Sequence, residues 1–346
     1  MTDIAEKAYE CLSRGEPLVL AKIISQQGST PRTAGTQMVV TGGGTHFGTI
    51  GGGVMEARVI EQCLGLLTGG GARFETFDLG QAEMASMDMI CGGGLEILLD
   101  PLAPSPEHVA LFDGWRQMRA GGEEGGFLIA VERKQGRVEK IHHGLVHADG
   151  RVWGQLPLST DAIAPLVQKG RSARVMTIAE MEGLYVIVEP ICKPRIAFVV
   201  GAGHVAQPTA HLAHLAGFQV VVLDDRDAYA NRQRFPDAQE VRVLPDLDDP
   251  FRGVRVDRDS FVVIVTRGHL YDKSVLAGAL LTEAGYIGMI GSRRKRDAIY
   301  KRLRKEGFGE DDLKRVHSPI GLNIGAETPA EIAVSIVAEM IEVKNR

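Results

Sequence analysis

The sequence predicts an α/β protein with a doubly wound parallel sheet in its C-terminal half and a glycine-rich α/β domain at its N-terminus. Three observations predict it. Beyond residue 191, short apolar strands alternate with helical stretches. Gly201-Ala-Gly-His-Val-Ala206 lies between one such strand and one such helix. Residues 42–94 hold 15 glycines, in a chain where 42 of 346 residues are glycine.

The N-terminal elements follow in order. Asp3 to Arg14 has helical spacing, and Leu18 to Ile24 reads as a buried strand. Ser25-Gln-Gln-Gly-Ser-Thr-Pro-Arg32 reads as a polar loop. Thr36 to Thr41 is a strand, Gly42-Gly-Gly44 a turn, and His46 to Ile50 the return. Gly51 to Gly53 lead into a helix over 54–67; Arg73 to Leu79 and Leu95 to Leu99 are strands. After Pro101, Pro104 and Pro106, strands are expected at Phe127 to Glu132 and Tyr185 to Glu189. His142, His143 and His147 flank a turn at Gly144, and Pro190 to Pro194 reads as a linker. The expected domains are therefore 1–190, with a sub-boundary near 102, and 191–346.

In the second domain, Arg195 to Val200, Gln219 to Leu223, Phe261 to Val265 and Tyr286 to Ile290 are strands. Thr328 to Val343 is a helix with Thr328 as N-cap, Pro329 at N1 and Glu331 at N3. Charge divides the halves too. Residues 1–190 carry 16 basic and 23 acidic groups, residues 191–346 carry 23 and 21.

Composition excludes several classes. A formal net charge of −5 argues against a globally basic nucleic-acid binder, and 19 aromatic residues supply few stacking platforms. No apolar run approaches the ~18 residues that cross a bilayer. The N-terminus lacks a basic region followed by an apolar one, so no secretory signal is read. The four cysteines, Cys11, Cys63, Cys91 and Cys192, show no C-x-x-C spacing and fit a reducing cytoplasm. No nucleic-acid or membrane partner is expected.

Gly201 to Ala206 is a G-x-G-x-x-A variant of the dinucleotide fingerprint. It follows a strand, opens a helix, and meets Asp224 and Asp225 at the end of the next strand. The C-terminal domain is therefore read as Rossmann-like. Gly201 and Gly203 let a phosphate approach the backbone, and the helix N-terminus supplies N–H groups; the same glycines also serve tight strand–helix packing. Ligands of open α/β sheets bind outside the carboxyl ends of the strands. His204, Asp225, Arg267, His269, Ser292 and Arg293 all fall there, a basic set suited to a phosphate-bearing ligand. The Lys/Arg run from Lys301 onward reads as a solvated helix face.

In the first domain, Gly48-Thr-Ile-Gly-Gly-Gly53 is a second glycine loop at a helix N-terminus, open to an anion; no Gly-Lys-Ser/Thr makes it a Walker loop. Glu56 would complement the helix dipole. Gln26-Gln-Gly-Ser-Thr-Pro-Arg32 adds Arg32 and two hydroxyls. Cys91, in Asp88-Met-Ile-Cys-Gly-Gly-Gly94, is a thiol in a glycine-flanked setting that favours exposure, although most lone cysteines are inert. Cys63 reads as packing. The histidines, His211 and His214 included, lack accompanying ligands at metal-binding spacing.

Taken together, these motifs resemble the xanthine dehydrogenase accessory protein family (XdhC/CoxI). The resemblance rests on Gly28-Ser-Thr-Pro-Arg32, Gly48 to Gly53 with Glu56, Cys91-Gly-Gly93 and the Gly201 to Ala206 loop. It also rests on Asp224-Asp-Arg226, Thr266-Arg-Gly-His269, Ile290-Gly-Ser-Arg-Arg294 and Ser318-Pro-Ile-Gly-Leu-Asn-Ile-Gly325. It covers the chain except residues 103–180.

The resemblance implies a maturation factor rather than a classical enzyme. It would bind the molybdenum cofactor, support its sulfuration with a cysteine desulfurase, and insert it into xanthine dehydrogenase or a related molybdenum hydroxylase. It implies a homodimer as well. The pyranopterin phosphate would lie toward Gly201, Gly203 and their neighbours. The molybdenum would lie toward Cys91, the one metal-contacting residue expected, with Arg32, Gly51, Gly52 and Gly53 completing the set. The alternative from the residues is an NAD(P)-dependent oxidoreductase, with Asp224 or Asp225 on the ribose and His204 or His269 as acid–base group.

Overall fold

β1 (Leu18–Gly28) carries the logic of the N-terminal fold. Its odd residues Val19, Ala21 and Ile23 pack with Val59 and Leu66 of α2 (Gly53–Leu67), while Leu18, Leu20 and Ile24 enter a second core on the other face. A strand buried on both faces reads as a nearly continuous apolar run, which is why LVLAKII, apart from Lys22, shows no alternation. The computed structural model describes residues 3–28, 30, 32–78 and 93–345. They form two units, Thr2–Lys193 and Pro194–Arg346.

In the first unit, Asp3 caps α1 (Ile4–Ser13) by accepting from the N–H groups of Ala5 and Glu6. One antiparallel sheet has the order β3 (His46–Gly48), β2 (Gln37–Thr41), β1, β5 (Gly93–Leu102), β4 (Arg73–Asp78). A second has the order β8 (Val152–Trp153), β7 (Arg137–His147), β6 (Gly125–Lys134), β10 (Leu184–Ile191), β9 (Thr177–Met181). Helices α3 (Pro106–Ala120) and α4 (Thr160–Ala173) complete the unit.

Leu20, Ile24, Trp115, Phe127 and Ile187 belong to one core shared by both sheets. Two polar contacts cross it. Lys22, fully buried, pairs with Glu189, which also accepts from Gln37 Nε2 at 2.9 Å. His143 Nε2 lies 2.7 Å from Asp100 Oδ2.

Three local readings need correction. β1 continues through Ser25 to Gly28 rather than ending in a loop, because those residues pair with Glu96 to Gly93. Gly144 lies inside β7 and makes no turn; a Cβ there would fall 2.7 Å from Leu156, so packing selects the glycine. Pro190 and Ile191 pair with Gly126 and Gly125, so β10 consumes the start of the expected linker.

The second unit is a six-stranded parallel sheet. Its order is β13 (Glu240–Val243), β12 (Gln219–Asp224), β11 (Ile196–Val200), β14 (Ser260–Ile264), β15 (Tyr286–Met289), β16 (Val316–His317). α5 (Ala206–Leu215) and α9 (Pro329–Lys344) pack on one face. α6 (His269–Leu280), α7 (Arg293–Lys305) and α8 (Glu310–Lys314) pack on the other. The doubly wound Rossmann-like reading holds, and the strand order reverses between β11 and β14. α9 begins as its sequence specifies, with a capping box between Thr328 and Glu331. Among the described residues, no helix is long and apolar enough to cross a membrane.

Candidate functional site

In the second unit, all six strands run parallel, so their carboxyl ends lie along one edge. Gly201 follows β11 with φ +104°, and a Cβ there would sit 2.5 Å from Val265 O. The first glycine is thus required by the approach of the β14 loop. Gly203 differs: a Cβ there would meet nothing within 4 Å, so the backbone is open to an incoming group. Neither Val205, the N-cap of α5, nor Gly268, the N-cap of α6, supplies a capping side chain.

Asp224 is buried at the end of β12. Oδ2 accepts from Ala202 N at 2.6 Å and Arg226 Nη2 at 2.8 Å; Oδ1 accepts from Arg226 N and Nε. Burial pushes its carboxyl pKa upward, but the Arg226 guanidinium and the Ala202 N–H together hold it below the usual value. Its acceptor capacity is spent inside the protein, which leaves little for a ribose hydroxyl. Asp225 Oδ2 accepts from Arg267 Nη2 at 2.8 Å. Because β12 and β14 flank β11, this pair crosses the end of β11 beside the glycine loop.

The loops after β14 and β15 are braced together. Buried Asp272 accepts from Thr266 Oγ1 at 2.7 Å and pairs with Lys295, whose Nζ also donates to Ile290 O. Ser292 caps α7 by accepting from Lys295 N at 3.2 Å. Arg293, at the first position of α7, and His204 are exposed at this edge. His269 opens α6, but its side chain lies outside what the structure describes. Thus Gly201, Gly203, His204, Asp224, Asp225, Arg267, Ser292 and Arg293 come to one sheet edge.

Sequence reasoning named Arg226 only as part of a motif and missed Asp272 and Lys295; all three hold this edge in shape. It also left out of the site the segment after β16, which returns to the same edge. There Gly321 N donates to Glu339 Oε2 at 2.9 Å, and Ser318 O accepts from Arg296 Nη1 at 3.1 Å. The available signal was the motif Ser318 to Gly325 itself.

In the first unit the strand directions bring two motif loops, β1–β2 and β3–α2, to one end of the first sheet. The carboxyl ends of β1, β3 and β4 and the amino ends of β2 and β5 share that end. Exposed Arg32 lies in the β1–β2 loop, where Gln26 Oε1 accepts from Ala34 N at 2.9 Å. The glycine loop lies between β3 and α2. Gly51, Gly52 and Gly53 have φ of +144°, +78° and +66°, a run only glycine adopts readily.

This loop is not open in the way expected. The Glu56 carboxylate folds back into it, and Oε2 accepts from Ile50 N at 3.0 Å, Gly52 N at 3.1 Å and the Thr49 hydroxyl. Burial raises the Glu56 pKa, and these donors more than offset it, holding the carboxyl below its usual value. An internal anion therefore occupies donors that the sequence offered to an external one. Cys91 lies outside the described residues, between Asp78 of β4 and Gly93 of β5. Among the described residues, no group of three or more His, Cys, Asp or Glu is arranged to hold a metal.

Comparison with known proteins gives the family. A profile described as the XdhC Rossmann domain matches residues 197–340, and one described as the XdhC and CoxI family matches residues 11–78. The chain belongs to the XdhC and CoxI family. Three relatives align along nearly its whole length. The Uncharacterized protein YqeB of Escherichia coli is 26% identical over 329 residues, covering 95% of this chain and 44% of YqeB. This chain therefore spans less than half of YqeB. A probable xanthine dehydrogenase subunit of Bacillus subtilis is 28% identical over 337 residues, covering 96% of this chain and 94% of that one. The Molybdenum cofactor insertion chaperone PaoD of Escherichia coli is 22% identical, covering 97% and 86%. A crystal structure from Bacillus halodurans, described as a xanthine dehydrogenase, superposes with a TM-score of 0.78 at 24% identity over 98% of this chain and 95% of that one. At that identity it shares the fold.

Proposed function

We propose that this XdhC/CoxI-family chain is a maturation chaperone. It binds the molybdenum cofactor as cargo, supports its sulfuration with a cysteine desulfurase, and delivers it to a xanthine dehydrogenase or related molybdenum hydroxylase. The observation that carries this reading is the end-to-end correspondence with the insertion chaperone PaoD.

The chemistry at the sheet edge of the second unit supports it. The pterin phosphate is a compact dianion. Open backbone at Gly203, the uncapped first turns of α5 and α6, and the cations Arg267 and Arg293 supply what such a group needs. The crossing contact between Arg267 and Asp225 gives a physical route to uptake: an incoming phosphate exchanges for the Asp225 carboxylate on Arg267. By the family resemblance, Cys91, Arg32 and the Gly51 to Gly53 loop of the first unit are further candidate cofactor contacts. Against the NAD(P) alternative, Asp224 is already engaged by Ala202 N and Arg226, and Asp225 by Arg267.

A homodimer and a cytoplasmic setting belong to the same proposal; Cys11 and Cys63 are free thiols. The test is reconstitution. Protein incubated with molybdenum cofactor should activate a cofactor-free xanthine dehydrogenase, and a Cys91→Ala variant should activate it poorly. Activation equal to that by cofactor alone would overturn the reading.

A further inference from the structure

α7 carries eight Lys or Arg and one Asp in thirteen residues, within a chain of net charge −5. Three of the eight are engaged: Lys295 with Asp272, Arg296 with Asp297 and Arg304 with Glu310. Arg293, Arg294, Lys301, Arg302 and Lys305 are exposed and make no side-chain hydrogen bond or ion pair among the described residues.

This pattern works against the helix. Its first turn holds four cations and no acid, at the end where the macrodipole favours anions. Lys301 and Lys305 are like charges at i,i+4, and Arg302 and Lys305 at i,i+3. Arg302 and Lys305 complement the macrodipole at the helix's C-terminal end, but folding gains nothing from the cations of the first turn or from so many unpaired charges on one face, so an interaction outside the fold is the better account of the excess.

The face is also shaped. Two adjoining depressions, of about 430 and 560 Å³, share Arg302. Arg294, Ala298 and Ile299 line the first, which starts at Ser292. Tyr271 of α6 and Lys305 line the second, with Asp248 and Glu306 in its wall.

We propose that this groove docks an acidic, amphipathic segment of a protein partner. Carboxylates would meet Arg294, Arg302 and Lys305, and apolar side chains would meet Ala298 and the Tyr271 ring, over a floor formed by buried Ile299. Glu306 is paired with Lys273, but Asp248 disfavours a phosphodiester backbone, which is charged at every step, and tolerates a peptide whose carboxylates are spaced. The inference is independent of the cofactor reading.

Fluorescence anisotropy on the full chain tests it, with three labelled probes. These are a peptide of glutamate and leucine at helical spacing, a glutamate-only peptide, and a single-stranded oligonucleotide of matching charge. The amphipathic peptide should bind tightest, and Arg294→Gln/Arg302→Gln/Lys305→Gln should weaken it about tenfold, by loss of charge complementarity. Arg302→Gln alone should weaken it several-fold, and Lys169→Gln, on exposed α4, should leave it unchanged. Equal affinity in the triple variant would overturn the proposal. So would an oligonucleotide or glutamate-only probe that binds as tightly as the amphipathic peptide.

Discussion

Asp224 accepts a hydrogen bond from Ala202 N at 2.6 Å, so the acid at the end of β12 is tied to the very loop whose fingerprint predicts it. The carboxylate holds the glycine loop closed on its own side and pairs with Arg226 on the other. Replacing it with Asn presents an amide donor to groups that are themselves donors. Asp224→Asn should cost about 3 kcal/mol, as expected when one partner of a buried pair is lost. Urea unfolding followed by circular dichroism measures this. Isothermal titration with NAD checks the complementary expectation, that the wild-type chain shows no saturable site.

The acid side of the stability profile follows from the same group. Asp224 and Glu56 both have folded pKa values below their unfolded ones. Their contribution is complete only above about pH 5, past both unfolded values, and is lost as pH falls through the folded values. The chain should therefore lose stability steeply below about pH 4. Asp224→Asn should flatten that limb. Melting curves from pH 7 downward, wild type against variant, decide it, and parallel curves would contradict it.

Glu56 gives a separate test in the first unit. Its carboxylate accepts two backbone N–H groups and the Thr49 hydroxyl. Glu56→Gln keeps the shape but turns charge-assisted bonds into neutral ones, a loss of about 1.5–3 kcal/mol. If an external anion rather than Glu56 organised the Gly51 to Gly53 loop, the variant would unfold at the wild-type urea concentration.

Thiol chemistry separates the cysteines. Burial pushes the Cys63 thiol up to about 12 and raises that of Cys11 as well. Neither should react with iodoacetamide at pH 8 in the native protein, and both should react after denaturation. Mass spectrometry of labelled peptides reads this directly.

Lys22 marks where sequence reasoning stops. The run LVLAKII reveals a buried strand, but not that its lysine is fully buried and paired with Glu189 on a strand of the other sheet. Lys22→Met should destabilise by about 3–5 kcal/mol, and adding Glu189→Leu should recover part of that loss. Additive losses would mean the two residues do not act as a pair.

Legibility followed the range of the interaction. Thr328, Pro329 and Glu331 specify the start of α9 locally, and the structure has that capping box. Gly201 to Ala206 likewise announces β11 and α5. Ser25 to Gly28 became strand only because β5 lies beside it, and Gly144 is glycine because of Leu156; both are contacts between separate segments. At the candidate edge, the strand ends placed Arg267, Ser292 and Arg293 correctly. The capture of Asp224 by Arg226 and of the glycine loop by Glu56 was invisible, because composition does not say which donors a carboxylate will find.

The proposed function stands on molybdenum cofactor being held at the β11–β14 edge of the second unit. It is read most simply from the molybdenum and pterin content of anaerobically purified protein after incubation with the cofactor and gel filtration, with NAD titrated in parallel. We expect close to one molybdenum and one pterin per chain, falling about tenfold in Arg267→Ala or Arg293→Ala as a charge-assisted phosphate contact is lost. No retained molybdenum, together with saturable NAD binding, would refute it.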